Sequence, residues 1–183
     1  MLTINIYIAA YVTLVHQRGV VDVMHFLRHE YEGNAHSGAN NGELTVGFFM
    51  PCHSTPWRSH LVYPEIKAWA LTCEPPLNLS IEERQRYEDE ADIFYAHPAS
   101  WVDDNMVERT TIMRHRAVES RARADDTGAR AWPRYLVFFQ HLEPVMNAVL
   151  EGTRYEECWR GFNTHWHDDW RRQGDVVVWC LQA

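Results

Sequence analysis

The feature that most constrains this fold is a set of short apolar runs whose residues do not alternate with polar ones. LTVGFFM, at residues 44–50, is the clearest of them. With residues 66–73, 135–142, 155–162 and 176–181 it gives five predicted strands. Apolar strands separated by helical segments are typical of a largely parallel sheet covered on both faces. The chain is therefore expected to form an α/β sandwich, in which helices flank a central sheet of about five strands.

Length and the last connection limit the architecture further. With 183 residues, of which 46% are hydrophobic, the chain is expected to form a single domain around one ordinary core. About a dozen residues separate the last two predicted strands. That length allows either a short crossover or an antiparallel pair, so the direction of the final strand stays open.

The helices are predicted from periodicity and from capping residues. Apolar residues at helical spacing predict an amphipathic helix over residues 20–32, followed by a loop at residues 33–43. Ser80 and Glu83 form a capping box, and the helix that they open is expected to run to about residue 96, where Pro98 ends it. Residues 143–151 predict a short helix with Pro144 in its first turn.

Residues 103–132 mix arginine with acidic residues and show little apolar periodicity. They predict a charged, solvated and partly helical insertion, with disorder centred on residues 124–131. The remainder of the chain shows no internal repeat.

The charge of the chain argues against a nucleic-acid partner. The formal net charge is −8, whereas nucleic acids are bound mainly by neutralising phosphates with lysine and arginine. Residues 1–15 are uncharged and mostly apolar, but a membrane helix needs about 20 residues, and a secretory signal needs a positive start. This segment is either a buried first element or the end of a membrane helix.

Four cysteines, at positions 52, 73, 158 and 180, lie in or beside predicted strands, and none forms a CxxC pair. If neighbouring strands pair, two disulfides can form, but four buried free thiols are equally compatible with the pattern. Asn78 begins an Asn-Leu-Ser triplet, the acceptor pattern for N-linked glycosylation.

The segment MPCHSTPWRSHLVYP, directly after the first strand, contains the candidate binding residues. Because ligands of α/β sheets bind beyond the carboxyl ends of strands, its donors suit phosphate or sugar hydroxyls. These donors are His53, Ser54, Thr55, Trp57, Arg58, Ser59 and His60. Alternatively, they hydrogen-bond the loop to its own domain. Pro51, Pro56 and Pro64 are expected to exclude helix from this segment.

Other clusters carry weaker signals. Adjacent Cys52, His53 and Ser54 point to alternate sides of an extended chain, so they do not form a catalytic dyad. On a strand His165 and His167 share a face, as zinc ligands do, but helical spacing is equally compatible, no third ligand is evident, and we expect no metal. Asp89 and Asp92 share a helix face, which suits a general acid and base, but a solvated acidic face is the commoner meaning.

Three stretches together resemble the C-terminal part of a known family. They are HQRGVVDVM, which follows an apolar run, GFFMPCHSTPWRSHLVYP, and DEADIFY, which a proline follows. In order and rough spacing they are similar to the GPI mannosyltransferase 3 family over about residues 15–98. From residue 135 onward the similarity lies in the strand pattern, and residues 103–132 look peculiar to this chain.

The resemblance implies a multispanning glycosyltransferase of the endoplasmic reticulum that uses dolichol-phosphate mannose and no other cofactor. Such enzymes add the third mannose to the glycosylphosphatidylinositol core. Residues 1–15 then look like the end of a truncated transmembrane helix, and residues 16–183 like a luminal α/β domain. An oxidising lumen fits a Cys52–Cys73 disulfide and a glycan on Asn78.

The same resemblance implies that this chain holds no catalytic residue. In such transferases the acidic residues that act on the acceptor lie in an early luminal loop, so the chain alone should not transfer mannose. Its expected partners are the membrane-embedded catalytic part of the same enzyme and the lipid-linked glycan. The alternatives are a non-catalytic binding domain of an endoplasmic reticulum membrane complex and a soluble metal-dependent hydrolase.

Overall fold

A computed structural model describes residues 2–37, 43–107 and 129–182. The helices are α1 (Leu2–Leu14), α2 (Gly19–Ser37), α3 (Trp57–His60), α4 (Ile81–Arg84), α5 (Glu90–Ala96), α6 (Pro98–Asn105) and α7 (Glu143–Val149). The strands are β1 (Leu44–Phe49), β2 (Ile66–Ala70), β3 (Tyr135–Phe139), β4 (Tyr155–Thr164) and β5 (Gly174–Leu181). Two 3-10 turns cover Gln140–Leu142 and Trp170–Arg172. Within these ranges no helix combines the length and apolar character that crossing a bilayer requires.

The five strands form one sheet in the order β2-β1-β3-β5-β4. Strand β1 runs parallel to β2 and β3, and β5 runs antiparallel to β3 and β4. Four strands therefore point in one direction, and only β5 is reversed. The predicted α/β class, the five strands and the largely parallel sheet are confirmed. The connection that the sequence left open is antiparallel, and it inserts β5 between β3 and β4.

Both faces of the sheet are covered, as the apolar strands predicted. One face packs against α2, whose Val23, Met24 and Leu27 are completely buried. The other face packs against α5, α6 and α7, with Phe94 and Trp101 in the core. Strand β3 is buried over its whole length because successive side chains enter opposite halves of this core.

The predicted helix at residues 20–32 is confirmed, but it continues to Ser37, so the predicted loop is wrong for residues 33–37. A glycine inside an exposed helix costs only about 1 kcal/mol relative to alanine, which is too little to end α2 at Gly33. Residues 38–42 of the predicted loop lie outside the described residues.

The capping box is present, but the helix that it opens is shorter than predicted. Ser80 Oγ accepts from the Glu83 N–H, and the Glu83 carboxylate accepts from the Ser80 N–H. Helix α4 ends after one turn, because Asp89 caps a separate helix by accepting from the Asp92 N–H at 2.8 Å. Pro98 opens α6 at its first turn, where a missing N–H costs nothing, instead of closing α5.

The ends of the predicted charged insertion belong to the core. Met106, Val107 and Trp132 are buried, and Trp132 Nε1 donates to the Val107 carbonyl at 2.7 Å. Met106 also pairs with Arg130 in an isolated parallel bridge. A solvated segment is therefore the wrong interpretation for residues 106, 107 and 132, whereas Asp103 and Asp104 are exposed in α6, as predicted. Residues 108–128 lie outside the described residues.

Candidate functional site

The carboxyl ends of β1, β2, β3 and β4 meet at one edge of the sheet, because these four strands point the same way. We call it the carboxyl edge. Three segments gather here: the loop of residues 52–60, named the CHSTP loop, the turn Gln140–Leu142, and residues 165–172. Ligands of open α/β sheets bind at such an edge.

A disulfide and an arginine fix the start of the CHSTP loop. Cys52 is bonded to Cys73, which follows β2, and a second disulfide joins Cys158 to Cys180 across β4 and β5. Arg172 donates to the Cys52 carbonyl at 2.6 Å. The loop is thereby attached both to the chain after β2 and to the segment between β4 and β5.

The first half of the loop is a tight turn. The backbone N–H and the side-chain hydroxyl of Ser54 both donate to the Pro51 carbonyl, and Ser54 is buried. His53 adopts the left-handed conformation, with φ at 57°. The one-turn helix α3 follows Pro56, so the expectation that the prolines exclude helix is wrong. Pro56 precedes the first helical residue, where no N–H is required.

Several of the predicted binding side chains are engaged within the domain. Trp57 lies over Phe48 of β1, with ring centroids 6.2 Å apart, and the Arg58 guanidinium lies 5.0 Å from the Trp57 ring. Ser59 Oγ donates to a backbone carbonyl of the same turn at 3.0 Å and also lies 3.0 Å from His60 Nδ1. These contacts shape the loop itself.

The side chains of the CHSTP loop that face solvent are fewer. His53, Arg58 and Ser59 are exposed, whereas Thr55, Trp57 and His60 are half-buried. Of the exposed three, Ser59 is engaged within its own turn, which leaves His53 and Arg58 as the most accessible of the predicted binding residues. Asn78, the predicted glycosylation site, is exposed in a turn before α4.

An ion-pair network that sequence reasoning missed lies beside the loop. Asp169 accepts from Arg171 Nε at 2.9 Å and from Arg172 Nε at 3.3 Å, and Arg171 Nη1 also donates to Asp92 at 2.8 Å. Partial burial opposes the charge of Asp169, but the arginine hydrogen bonds hold the pKa of this carboxyl below its ordinary value. The Arg171 guanidinium also lies over the ring of Tyr95, 5.6 Å from its centroid.

Tyr95 extends this network into the core. Its hydroxyl donates to the Phe49 carbonyl at 3.1 Å, and burial raises the pKa of the phenol. The network therefore joins α5, the end of β1 and the turn Trp170–Arg172. The neighbouring acidic pair Asp168-Asp169 and basic pair Arg171-Arg172, between the predicted fourth and fifth strands, were the available signal.

The two other clusters from the sequence analysis, the histidine pair and the aspartate pair, make local contacts. His165 Nδ1 hydrogen-bonds the Tyr11 hydroxyl at 2.7 Å, whereas His167 Nδ1 accepts from the Asp169 N–H at 2.9 Å. Asp89 caps α5, and Asp92 pairs with Arg171, so the two carboxylates do not face a common site.

One group of potential metal ligands is close enough to hold an ion, among the residues that the structure describes. It consists of Cys52, Cys73 and Asp89, and Cys52 Sγ lies 3.4 Å from Asp89 Oδ2. Both sulfur atoms of this group are joined in the disulfide.

Helix α1 leaves the domain at the carboxyl edge. The Gln17 N–H donates to the Asn163 carbonyl at 2.7 Å, and Thr164 Oγ1 lies 3.0 Å from His16 Nδ1, both contacts at the end of β4. Every other residue of α1 is exposed, and Tyr11 alone is half-buried. The apolar helix and the CHSTP loop therefore lie at the same end of the molecule.

Comparison with known proteins gives a consistent relationship. The Alg9-like mannosyltransferase family matches residues 1–62. GPI mannosyltransferase 3 of Emericella nidulans is 48% identical over 99% of this chain and 30% of its own length. The proteins of the same name from Aspergillus fumigatus and Debaryomyces hansenii are 42% and 40% identical, over 99% and 98% of this chain and 26% and 30% of their own lengths.

The similarity to these relatives extends beyond residues 15–98, where the motifs lie, and includes the last strands. The chain spans about 30% of the length of the curated relatives that it matches. No solved structure matches it.

Proposed function

Because this chain belongs to the GPI mannosyltransferase 3 family, we propose that it is the C-terminal luminal domain of a mannosyltransferase. The complete enzyme adds the third mannose to the glycosylphosphatidylinositol-anchor precursor in the endoplasmic reticulum membrane. Dolichol-phosphate mannose is its donor, and it uses no other cofactor. The identity to the relatives over nearly the whole chain is the observation that carries this proposal.

In this arrangement α1 is the end of a membrane helix and residues 16–183 lie in the lumen. The uncharged surface of α1 supports this position, because every residue of this helix except half-buried Tyr11 is exposed. Its 13 residues correspond to about 20 Å, roughly two-thirds of the hydrocarbon core. The two disulfides and the exposed Asn78 are compatible with an oxidising lumen.

The CHSTP loop packs against the membrane-embedded catalytic part or lines the path of the lipid-linked glycan. Its place at the carboxyl edge, from which α1 also leaves, supports both roles. The substrate-binding candidates remain His53, Ser54, Thr55, Trp57, Arg58 and His60. Of these, exposed His53 and Arg58 are the side chains best placed to contact a glycan or a neighbouring loop.

The domain by itself transfers no mannose. Three carboxylates near the loop are engaged: Asp89 caps a helix, while Asp92 and Asp169 pair with Arg171. Asp168, in the same segment, is exposed. A catalytic base must be within hydrogen-bond reach of the hydroxyl that it activates. The family resemblance implies that the base is supplied by the part of the enzyme that lies outside the match.

The experiment compares full-length enzymes in microsomes. The double variant His53→Ala, Arg58→Ala is expected to accumulate the precursor with two mannoses, while His29→Ala, an exposed histidine on α2, behaves as the unaltered enzyme. Unchanged activity and folding of the double variant would remove the glycan-contact role. Mannose transfer by residues 1–183 alone would overturn the proposal that the domain is inactive.

Carbonate extraction of the native protein, followed by immunoblot, tests the membrane arrangement. A band much larger than 21.5 kDa that resists extraction is the expected result. A soluble band at 21.5 kDa would instead favour a free-standing binding domain. Stoichiometric zinc in the purified protein would favour the hydrolase.

A further inference from the structure

Aromatic side chains surround the point where the apolar surface of α1 ends. Trp166 stacks on Tyr11, with ring centroids 5.7 Å apart, and on His16, at 5.5 Å. The ring of Phe162 lies 4.7 Å from that of His165, which hydrogen-bonds Tyr11. These five residues lie in or directly after α1 and β4, and we call them the junction cluster.

The junction cluster is built tightly although part of it faces solvent. A Cβ added to Gly19, the first residue of α2, would lie only 2.9 Å from the Phe162 carbonyl oxygen. The turn from α1 into α2 is therefore held close against β4, and Gln17 takes a left-handed φ of 60° to make it. Despite this close packing, Trp166 remains 60% exposed and Phe162 39% exposed.

The junction cluster lies where the apolar segment that contains α1 gives way to polar residues. The chain is uncharged up to Val15 and becomes polar from His16 onward, and Trp166 lies beside this boundary. Tryptophan and tyrosine concentrate where hydrocarbon meets headgroups, since their rings are apolar and their polar atoms need water. An exposed tryptophan held at this boundary fits the headgroup layer of a bilayer.

We infer that the junction cluster inserts Trp166 and Phe162 into the headgroup layer and thereby turns the carboxyl edge toward the membrane surface. The inference rests on the proposed function, because it requires α1 to lie in the bilayer. The net charge of −8 and the single lysine favour zwitterionic over anionic headgroups as the contacting lipid. The CHSTP loop is then held within reach of membrane-embedded parts of the enzyme.

A photocrosslinking experiment tests this contact in the full-length enzyme in microsomes. Trp166 is replaced by p-benzoylphenylalanine, and Val62 is replaced in a matched control. Val62 is 59% exposed but precedes β2, at the opposite edge of the sheet. After irradiation, the phosphatidylcholine adducts of each site are measured by mass spectrometry.

We expect about tenfold more lipid adduct at position 166 than at position 62, as an interfacial side chain requires. The same probe at Phe162 gives a second reading if the first variant fails to fold. Equal lipid labelling at the two edges, or adducts of 166 and 162 with protein alone, would overturn the inference and leave the proposed function intact. Release of the enzyme by carbonate would instead overturn the proposed membrane arrangement, and the inference with it.

Discussion

Removal of the Cys52–Cys73 disulfide should lower the free energy of unfolding, and the size of this loss can be estimated from the number of residues between the two cysteines. The two cysteines are 21 positions apart, and closing a loop of this length in the unfolded chain costs about 3.4 kcal/mol of entropy. The double variant Cys52→Ala, Cys73→Ala is therefore expected to lose about 3 kcal/mol of unfolding free energy. A typical domain has only about 5–15 kcal/mol in total.

The second disulfide is a matched control. Cys158 and Cys180 are 22 positions apart, so the same loop-entropy term predicts a loss within about 0.1 kcal/mol of the first. The local effects should differ. Strands β4 and β5 are also paired through their backbones, whereas the disulfide at Cys52 holds the CHSTP loop. Only the first double variant should become sensitive to protease within residues 52–60.

Unfolding in urea, followed by a brief pulse of protease, measures these free energies for the chain in detergent micelles. Alkylation of the unreduced protein comes first and should label no cysteine. Free thiols in that sample, or a loss below about 1 kcal/mol for the first double variant, would refute the reasoning. Equal protease sensitivity of the loop in both variants would contradict its dependence on Cys52.

Three further outcomes are expected. Gly47→Ala should lower the free energy of unfolding by about 1–3 kcal/mol, because the new Cβ would lie 2.7 Å from the Trp69 ring. Urea unfolding measures this loss, and an unchanged midpoint would contradict the close packing. The lowered pKa of Asp169 contributes stability above its unfolded value of about 3.9, and this contribution is lost as pH falls through the folded pKa. Asp169→Asn should therefore lower the free energy of unfolding by about 2 kcal/mol at pH 7, because the charged hydrogen bonds to Arg171 are lost. Measured by thermal unfolding at a series of pH values, the variant should lose less stability than the unaltered protein as the pH falls. Asn78→Gln should increase gel mobility as much as glycosidase treatment does, and equal mobility of both proteins would place this site outside the lumen or leave it unmodified.

The parts of the fold that sequence predicted are those in which local pattern and burial agree. Strands β1, β3 and β5 are apolar because they are buried on both faces, so their sequences alone revealed them. Local signals failed where two meanings compete. Pro98 is compatible both with ending one helix and with starting another. The capping box at Ser80 is the stronger sequence signal, so the separate helix start at Asp89 was not predicted.

The candidate site was predictable only in part. The CHSTP loop was found because it follows a strand, which is a local relation. Its partners were not found, because Arg172 lies 120 positions from Cys52 and Asp92 lies 79 from Arg171. Such contacts depend on strand order, and the order β2-β1-β3-β5-β4 leaves no mark in a single sequence.

The insertion of β5 between β3 and β4 has a consequence for biosynthesis. While the ribosome is still adding Gly174–Leu181, β3 has an unpaired edge and β4 has no neighbour in the sheet. The nascent domain therefore carries an open apolar edge that invites aggregation until its last strand emerges. A premature stop codon at position 174 would take away an interior strand, and we expect quality control to degrade such a product.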